Sequence, residues 1–316
     1  NLYQVQWNLT MAATILAMIP VLVVFFLAQK VFVEGITLTG TGNINATGLN
    51  VGGSDFSGNS GNNYLKGSDG SDCFDGGGGA DTLEGGAGPD YYYLFDNQST
   101  VIEKAGGAGG LDIVWAFGDG IKLPDNVERL YVMSISAKTA YGNEGNNSLT
   151  GDNHANTLYG NGGNDKLFGL GGNDILYGGL GNDTLFGAAG NDTYHFQRGD
   201  GADTVLDIDS TAGNQDTLAL DGAINANQVW LAKSGNDLVI SVIGTTDSVT
   251  VTGWFQSPDY HVESIVAGGN GKTLSDTKVQ GLVTAMSSFA PPPLGQTTLT
   301  PAYNSALGSV IASSWA

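Results

Sequence analysis

The chain is short of the groups that small folds commonly use as staples. Its 316 residues include one cysteine, Cys73, so no disulfide can form within it. Basic side chains are scarce: 11 Lys and Arg stand against 31 Asp and Glu, a net charge of −20. That balance excludes nucleic acid as a partner, because phosphate recognition needs a basic surface. It suits a polyvalent cation, or a chain that must stay soluble and extended before it folds. The three histidines, His154, His195 and His261, sit in no HExxH pattern, so no zinc protease site can be built. No Gly-x-Ser-x-Gly elbow is present either. The chain reads as non-enzymatic.

Glycine is what the chain has in excess, at 50 residues. Much of it is spent in two strictly periodic arrays. Residues 58–93 read GNSGNNYLK, GSDGSDCFD, GGGGADTLE, GGAGPDYYY. Residues 142–195 read GNEGNNSLT, GDNHANTLY, GNGGNDKLF, GLGGNDILY, GGLGNDTLF, GAAGNDTYH. The strict register argues against disorder, since low-complexity sequence does not keep a period. Glycines at positions 1 and 4 permit a tight turn. The fourth-position glycines include Gly70, Gly79, Gly88, Gly163, Gly172, Gly181 and Gly190. Residues 7–9 form a short strand, in which position 8 faces opposite to positions 7 and 9. Position 8 is Leu65, Phe74, Leu83, Tyr92, Leu149, Leu158, Leu167, Leu176, Leu185 and Tyr194, the expected core. One nonad cannot bury that residue alone, but coils stacked about 4.8 Å apart can.

If turns and strands alternate on two sides, a coil takes two nonads and position 6 stacks on position 6 one coil away. Asp72 then meets Asp90, Asp165 meets Asp183, and Asp174 meets Asp192. Asn63 meets Asp81, Asn147 meets Asp165, and Asn156 meets Asp174. Stacked carboxylates repel. A hard cation between them reverses the sign, and calcium takes six to eight oxygens, carboxylate and carbonyl alike. The spacing therefore predicts a ladder of about six calcium sites.

These nonads resemble the RTX (repeats-in-toxin) haemolysin-type calcium-binding repeats of bacterial secreted proteins. The resemblance covers about residues 40–316. It implies a mainly β protein with a parallel β-roll that folds on calcium outside the cell. It also implies export by a type I secretion system that reads an uncleaved C-terminal signal. The position-6 ligands carry over as Asp72, Asp81, Asp90, Asp165, Asp174, Asp183 and Asp192. The departures at Asn63, Asn147 and Asn156 imply weaker sites.

The remaining segments frame the arrays. Residues 36–57 read as a degenerate lead-in. Residues 94–141 lose the period and read as a β spacer, with strands Thr100–Ile102, Ile113–Phe117 and Leu130–Ile135. Residues 196–273 read as a β-meander cap, with Val229–Leu231, Leu238–Ile243 and Ser248–Thr252 as antiparallel strands. In 274–316, Val279, Leu282, Val283 and Met286 fit an amphipathic helix over Leu274–Ala290, with Ser275 as N-cap and Pro291–Pro293 as stop. Residues 281–316 carry no charge and fit a secretion signal. Asp203, Asp207 and Asp209 are candidates for an extra calcium at the end of the roll. DIDSTAGNQDTL at 207–218 begins like an EF-hand, but Ala212 and Leu218 stand at its turn and bidentate positions. AGGNGKT at 267–273 lacks the first glycine of a phosphate loop.

Residues 1–35 differ from the rest. Leu9–Ala28 holds 20 residues without a charge, long enough to cross a bilayer as a helix, with Lys30 the first charge after it. It lacks the basic start and cleavage site of a signal peptide. Residues 1–40 are similar to the last membrane helix of carbohydrate ABC transporter permeases. The apolar length of residues 9–28 points to membrane contact there and leaves a membrane-anchored, calcium-dependent surface or adhesion module as the alternative to secretion. The two parts fit a junction of unrelated sequences within ITLTGTGNINATG, and the missing initiator Met fits a fragment.

Overall fold

The computed structural model describes residues 35–48, 52–105, 110–133, 136 and 138–316. The expected membrane helix over Leu9–Ala28 lies outside them. Among the described residues no helix is long and apolar enough to cross a membrane. The chain falls into two units, Asn1–Tyr92 with Gln98–Gly110, and Tyr93–Asn97 with Leu111–Ala316.

In the first unit, strands Gly35–Thr37, Asp55–Ser57, Cys73–Asp75 and Tyr91–Leu94 follow one another in one sheet. Asn45–Thr47, Tyr64–Lys66, Thr82–Glu84 and Thr100–Ile102 form the other. The strands of the nonads occupy positions 7–9, and Tyr64 lies opposite Thr82 in parallel register. Both strands of the ITLTGTGNINATG segment belong to this roll, with Gly35 paired to Asp55 and Asn45 to Tyr64. The column Phe56, Phe74 and Tyr92 stacks at 4.9 and 5.1 Å between ring centroids, the spacing of adjacent strands.

The second unit repeats the design over a longer run. One sheet takes Arg129–Val132, Ser148–Thr150, Lys166–Gly171, Thr184–Ala189 and Ala202–Val205 in order. The other takes Lys138–Tyr141, Asn156–Gly162, Ile175–Leu180, Thr193–Phe196 and Thr217–Leu220. Every one of these neighbouring pairs is parallel. The aperiodic stretch before residue 142 is wound into the same roll: Ile113–Ala116 pairs with Arg129–Val132, and Ile121–Lys122 with Lys138–Tyr141. Its coils lose the nonad period because their turns differ in length, while inward apolar residues such as Val114 and Leu130 stay fully buried. All ten position-8 residues are buried, none exposing more than 2%. Position 9 makes an outer ladder, Tyr141, Tyr159, Tyr177 and His195, stacked at 4.8, 4.5 and 4.0 Å.

The glycine turns have specific reasons. Gly181 and Gly190 hold φ of 139° and 138°, and a Cβ at either would run into the carbonyl of Gly163 or Gly172 one coil back. Gly70, by contrast, does not take a positive φ. Position 2 is left-handed in the later nonads, even where it is not glycine: Asn161, Leu170 and Ala188 have φ of 76°, 80° and 74°.

The roll ends in an antiparallel meander, Val229–Ser234, Asp237–Val242 and Ser248–Val251, joined to it by parallel pairing of Ala202–Val205 with Ser248–Val251. Ser264–Ala267 continues the second sheet, and Lys272–Ser275 turns back on it. The AGGNGKT stretch is the turn of this hairpin rather than a phosphate loop. The expected helix begins later than Leu274, which lies in a strand. It runs Asp276–Met286 and buries Val279, Leu282, Val283 and Met286. Ser275 occupies its N-cap position without a side-chain capping bond. A second helix, Pro301–Ser314, was not expected from the sequence, because its weak periodicity hides it. Thr300 caps it, Pro301 opens it, and Leu307 and Ile311 are its buried residues. The C-terminus is tied to the last hairpin by Ala316 N–H donating to the Thr273 carbonyl at 2.9 Å.

Leu176 is fully buried in the roll, so Leu176→Ala is expected to lower stability by about 2–5 kcal/mol in denaturant titrations. Leu170→Gly at an exposed left-handed position should raise it instead, by about 1 kcal/mol. A loss of stability in Leu170→Gly would contradict the turn geometry described here.

Candidate metal centres

The position-6 side chains lie at the turns, where a strand of one sheet begins. Each aspartate reaches back one coil. Asp165 Oδ1 accepts the N–H of Asn147, and Asp183 Oδ1 accepts that of Asp165, both at 2.7 Å across 18 residues. On the other side of the roll Asp174 Oδ1 accepts from Asn156, and Asp192 Oδ1 from Asp174, again at 2.7 Å. In the first unit the same bond links Ser54 to Asp72, Asp72 to Asp90 and Asn63 to Asp81. The 18-residue stacking thus brings together the six expected pairs.

These aspartates are buried, and Asp174 and Asp192 expose nothing. Oδ1 is spent on the backbone, but Oδ2 of Asp165, Asp174, Asp183 and Asp192 has no hydrogen-bond partner. A buried carboxylate oxygen without a partner is costly. Burial, with Asp183 and Glu144 nearby, pushes the Asp165 carboxyl up to about 7. Burial, with Asp192 and Asp152 nearby, does the same for Asp174. Asp192 rises to about 6 for the same first reason, with Asp216 and Asp209 adding to it. The first glycine of each nonad sits against this oxygen. A Cβ at Gly160 or Gly169 would collide with the carboxylate of Asp165 or Asp174 and with the carbonyl of Gly178 or Gly187 from the next coil. Carboxylate and carbonyl oxygens therefore face one small space between coils. That all-oxygen donor set fits calcium, which accepts flexible oxygen coordination.

The asparagines behave differently. Asn63 Oδ1 accepts from Asn59 N–H at 2.9 Å, and Asn147 Oδ1 from Asn143 N–H at 2.7 Å, each within its own turn. Asn156 does likewise toward Asp152 N–H. Each asparagine holds its oxygen against the first glycine of its nonad, where the aspartates hold Oδ2. Asp72 also differs: its Oδ2 accepts the Ser68 N–H at 2.7 Å.

The column does not stop at the last nonad. Asp183 N–H donates to Asp203 Oδ1 at 2.9 Å across 20 residues, and Asp192 N–H to Asp216 Oδ1 at 2.7 Å across 24. Asp216 N–H then donates to Glu263 at 2.7 Å. Asp216 and Glu263 were missed because their coils carry insertions, yet the triplets Asp203-Thr-Val and Asp216-Thr-Leu repeat the Asp183-Thr-Leu of the array. The expected trio Asp203, Asp207 and Asp209 does not form one site. Asp203 shares its surroundings with Asp183, Asp200 and Asp247, whereas Asp207 lies with Asp216 and Asp192. Asp209 is spent on the backbone N–H groups of Gly190 and Thr211. The EF-hand-like stretch 207–218 is accordingly a loop of the roll. His195 is held by Asp221 at 2.6 Å and stacked on Tyr177, and His261 is stacked on Trp254.

A family model matches the stretches that carry these aspartates. The RTX calcium-binding nonapeptide repeat matches four times, at residues 57–92, 139–167, 159–194 and 168–205. The haemolysin-type calcium binding protein related domain matches residues 237–266. The chain is 36% identical over 93 residues to the iron-regulated protein FrpA of Neisseria meningitidis serogroup C, a match covering 28% of this chain and 8% of that relative. The extracellular lipase LipA of Serratia marcescens is a structural neighbour at 21% identity with a TM-score of 0.30, over 72% of this chain and 40% of that one.

Without metal, the raised carboxyls keep their protons to higher pH in the folded chain than in the unfolded one, where the reference is 3.8. In chelator, stability is thus greatest at low pH and falls as pH rises toward about 7. Calcium needs the ionised form, so in calcium the trend should reverse. The folded fraction from the β signal in circular dichroism at pH 5.5 and pH 8, with and without calcium, checks both signs. Asp174 contributes to two coil pairs, so Asp174→Asn should weaken calcium binding well beyond the exposed Asp69→Asn. Isothermal titration measures the difference. The chain carries RTX calcium-binding nonapeptide repeats wound into a parallel β-roll, continued by a haemolysin-type calcium binding protein related domain.

Proposed function

We propose that this chain is a non-catalytic calcium-dependent folding module of an exported bacterial protein. The observation that supports it most is the buried column of aspartates with partnerless Oδ2 atoms. Asp165, Asp174, Asp183 and Asp192 each leave one carboxylate oxygen inside the roll, and those of Asp165 and Asp174 face glycine carbonyls of the adjacent coil. Calcium, when bound, supplies the positive charge that this column lacks. Asp72, Asp81 and Asp90 are the corresponding position-6 ligands of the first unit. About six ions are expected, with the asparagine-containing pairs the weaker ones. Each site saturated a hundredfold above its dissociation constant contributes about 2.7 kcal/mol, so several together decide whether the roll folds.

Calcium control suits a protein exported unfolded. In a low-calcium cytoplasm the acidic chain stays open, and outside the cell calcium closes it. Type I secretion is the matching route, with the charge-free residues 281–316 as the signal that is read and later folded onto the last hairpin. The module would then act in the extracellular space.

Circular dichroism of the full chain during a calcium titration, with magnesium as control, tests the proposal. A cooperative gain of β signal in calcium, and a poor one in magnesium, is expected, because magnesium demands shorter octahedral geometry. A chain equally folded in chelator would overturn it.

A further inference from the structure

The outer faces of the roll in the second unit carry columns of rings. On one sheet the column of Tyr141, Tyr159, Tyr177 and His195 is unbroken. On the other sheet it is interrupted. Trp115 stacks on Tyr131 at 5.0 Å and 22°, and Phe168 on Phe186 at 4.6 Å and 6°. Between the two stacks runs the strand Ser148–Thr150, in which Thr150 pairs with Tyr131 on one side and with Phe168 on the other. The column therefore lacks one ring, at Thr150. Tyr131 has one face on Trp115 and Phe168 has one on Phe186, so the second face of each is turned to the strand between them. The two walls stand two strand spacings apart, about 9.6 Å. A flat ring lying over Thr150 would be about 4.8 Å from each wall, within the range of stacked aromatic pairs.

The neighbouring outward column supplies charge. Arg129, Ser148 and Lys166 are in register on the same three strands. The strands from Ile113–Ala116 to Thr184–Ala189 hold no acidic residue, in a chain whose net charge is −20. Among the described residues neither Arg129 nor Lys166 takes part in an ion pair. Lys166 is exposed, and Arg129, Tyr131, Ser148, Thr150 and Phe168 are half-buried. The result is a notch across the sheet. Its floor is two small hydroxyl side chains, and each wall is one ring beside one cation.

We propose that this notch binds a small aromatic anion of the aryl carboxylate class, with its ring between Tyr131 and Phe168 and its acid group between Arg129 and Lys166. The guanidinium of Arg129 offers a planar fork of donors that matches a carboxylate, and Lys166 adds a point charge. Stacking on two faces selects a flat ring over a saturated one. The paired cations select the acid over its neutral amide. The notch lies on the outer face of the sheet, whereas the position-6 aspartates are buried at the turns. The site is thus separate from the calcium ladder and does not depend on it.

The test titrates the full chain, in calcium, with benzoate as the probe, by calorimetry and by proton magnetic resonance of the ligand. Benzamide removes the charge, and cyclohexanecarboxylate removes the flat ring. Benzoate is expected to bind once per chain, and each control about tenfold more weakly. The ring protons of bound benzoate should shift upfield, because they lie between two aromatic faces. Lys166→Gln should weaken benzoate and leave benzamide unchanged. Thr150→Phe supplies the absent ring, so it should abolish benzoate binding while the β signal in circular dichroism is kept. Benzoate held no more tightly than cyclohexanecarboxylate would overturn the site, since the carboxylate alone would then account for binding. Benzoate binding that survived Thr150→Phe, or no saturable binding at all, would overturn it equally.

Discussion

The structure depends on carboxylate oxygens held out of water between coils. Asp165, Asp174, Asp183 and Asp192 each satisfy one oxygen with a backbone N–H of the preceding coil and bury the other. This arrangement has two faces. The Oδ1 bond is neutral to the question of metal and sets the register. The Oδ2 atom is a liability in an empty roll and an asset beside a cation. Glycine at position 1 follows from the same fact, since a side chain there would occupy the space between carboxylate and carbonyl.

Everything else is the consequence of stacking at a constant repeat. Leu149, Leu167 and Leu185 form one core column, and Leu158, Leu176 and Tyr194 the facing one. Each pair is one strand spacing apart, so each coil completes its core only through its neighbours. Such a roll has ends that must be covered. The antiparallel meander and the helix Asp276–Met286 cover one of them, with Met286 Sδ within 3.2 Å of the Leu231 N–H. A charge-free C-terminal segment folds over the meander, where Tyr303 meets Trp230 edge to face. The repeats of the second array and the cap therefore share one compact unit.

Much of this was legible in the sequence. The nonad period fixes the two-sided coil, the inward column and the aspartate stacking, because a strand alternates with period two and a turn needs glycine at set places. The rest was hidden for physical reasons. Residues 113–141 stack as coils whose loops differ in length, so only the inward Val114, Leu130 and Ala140 keep the pattern, and a search for period nine misses them. The columns run on through Asp216 and Glu263, but separations of 24 and 47 residues conceal the stacking. The second helix carries buried residues only at Leu307 and Ile311, too few to announce a face. Asp72 was expected to behave like its fellows, yet the serine at position 68 captures its second oxygen.

The most direct measurement is a crystal structure of the calcium-loaded chain with anomalous scattering recorded for the metal. The account predicts anomalous peaks between successive coils, each in contact with Oδ2 of Asp165 and Asp183 or of Asp174 and Asp192. Peaks confined to exposed surface carboxylates, with those four oxygens still without a partner, would contradict it.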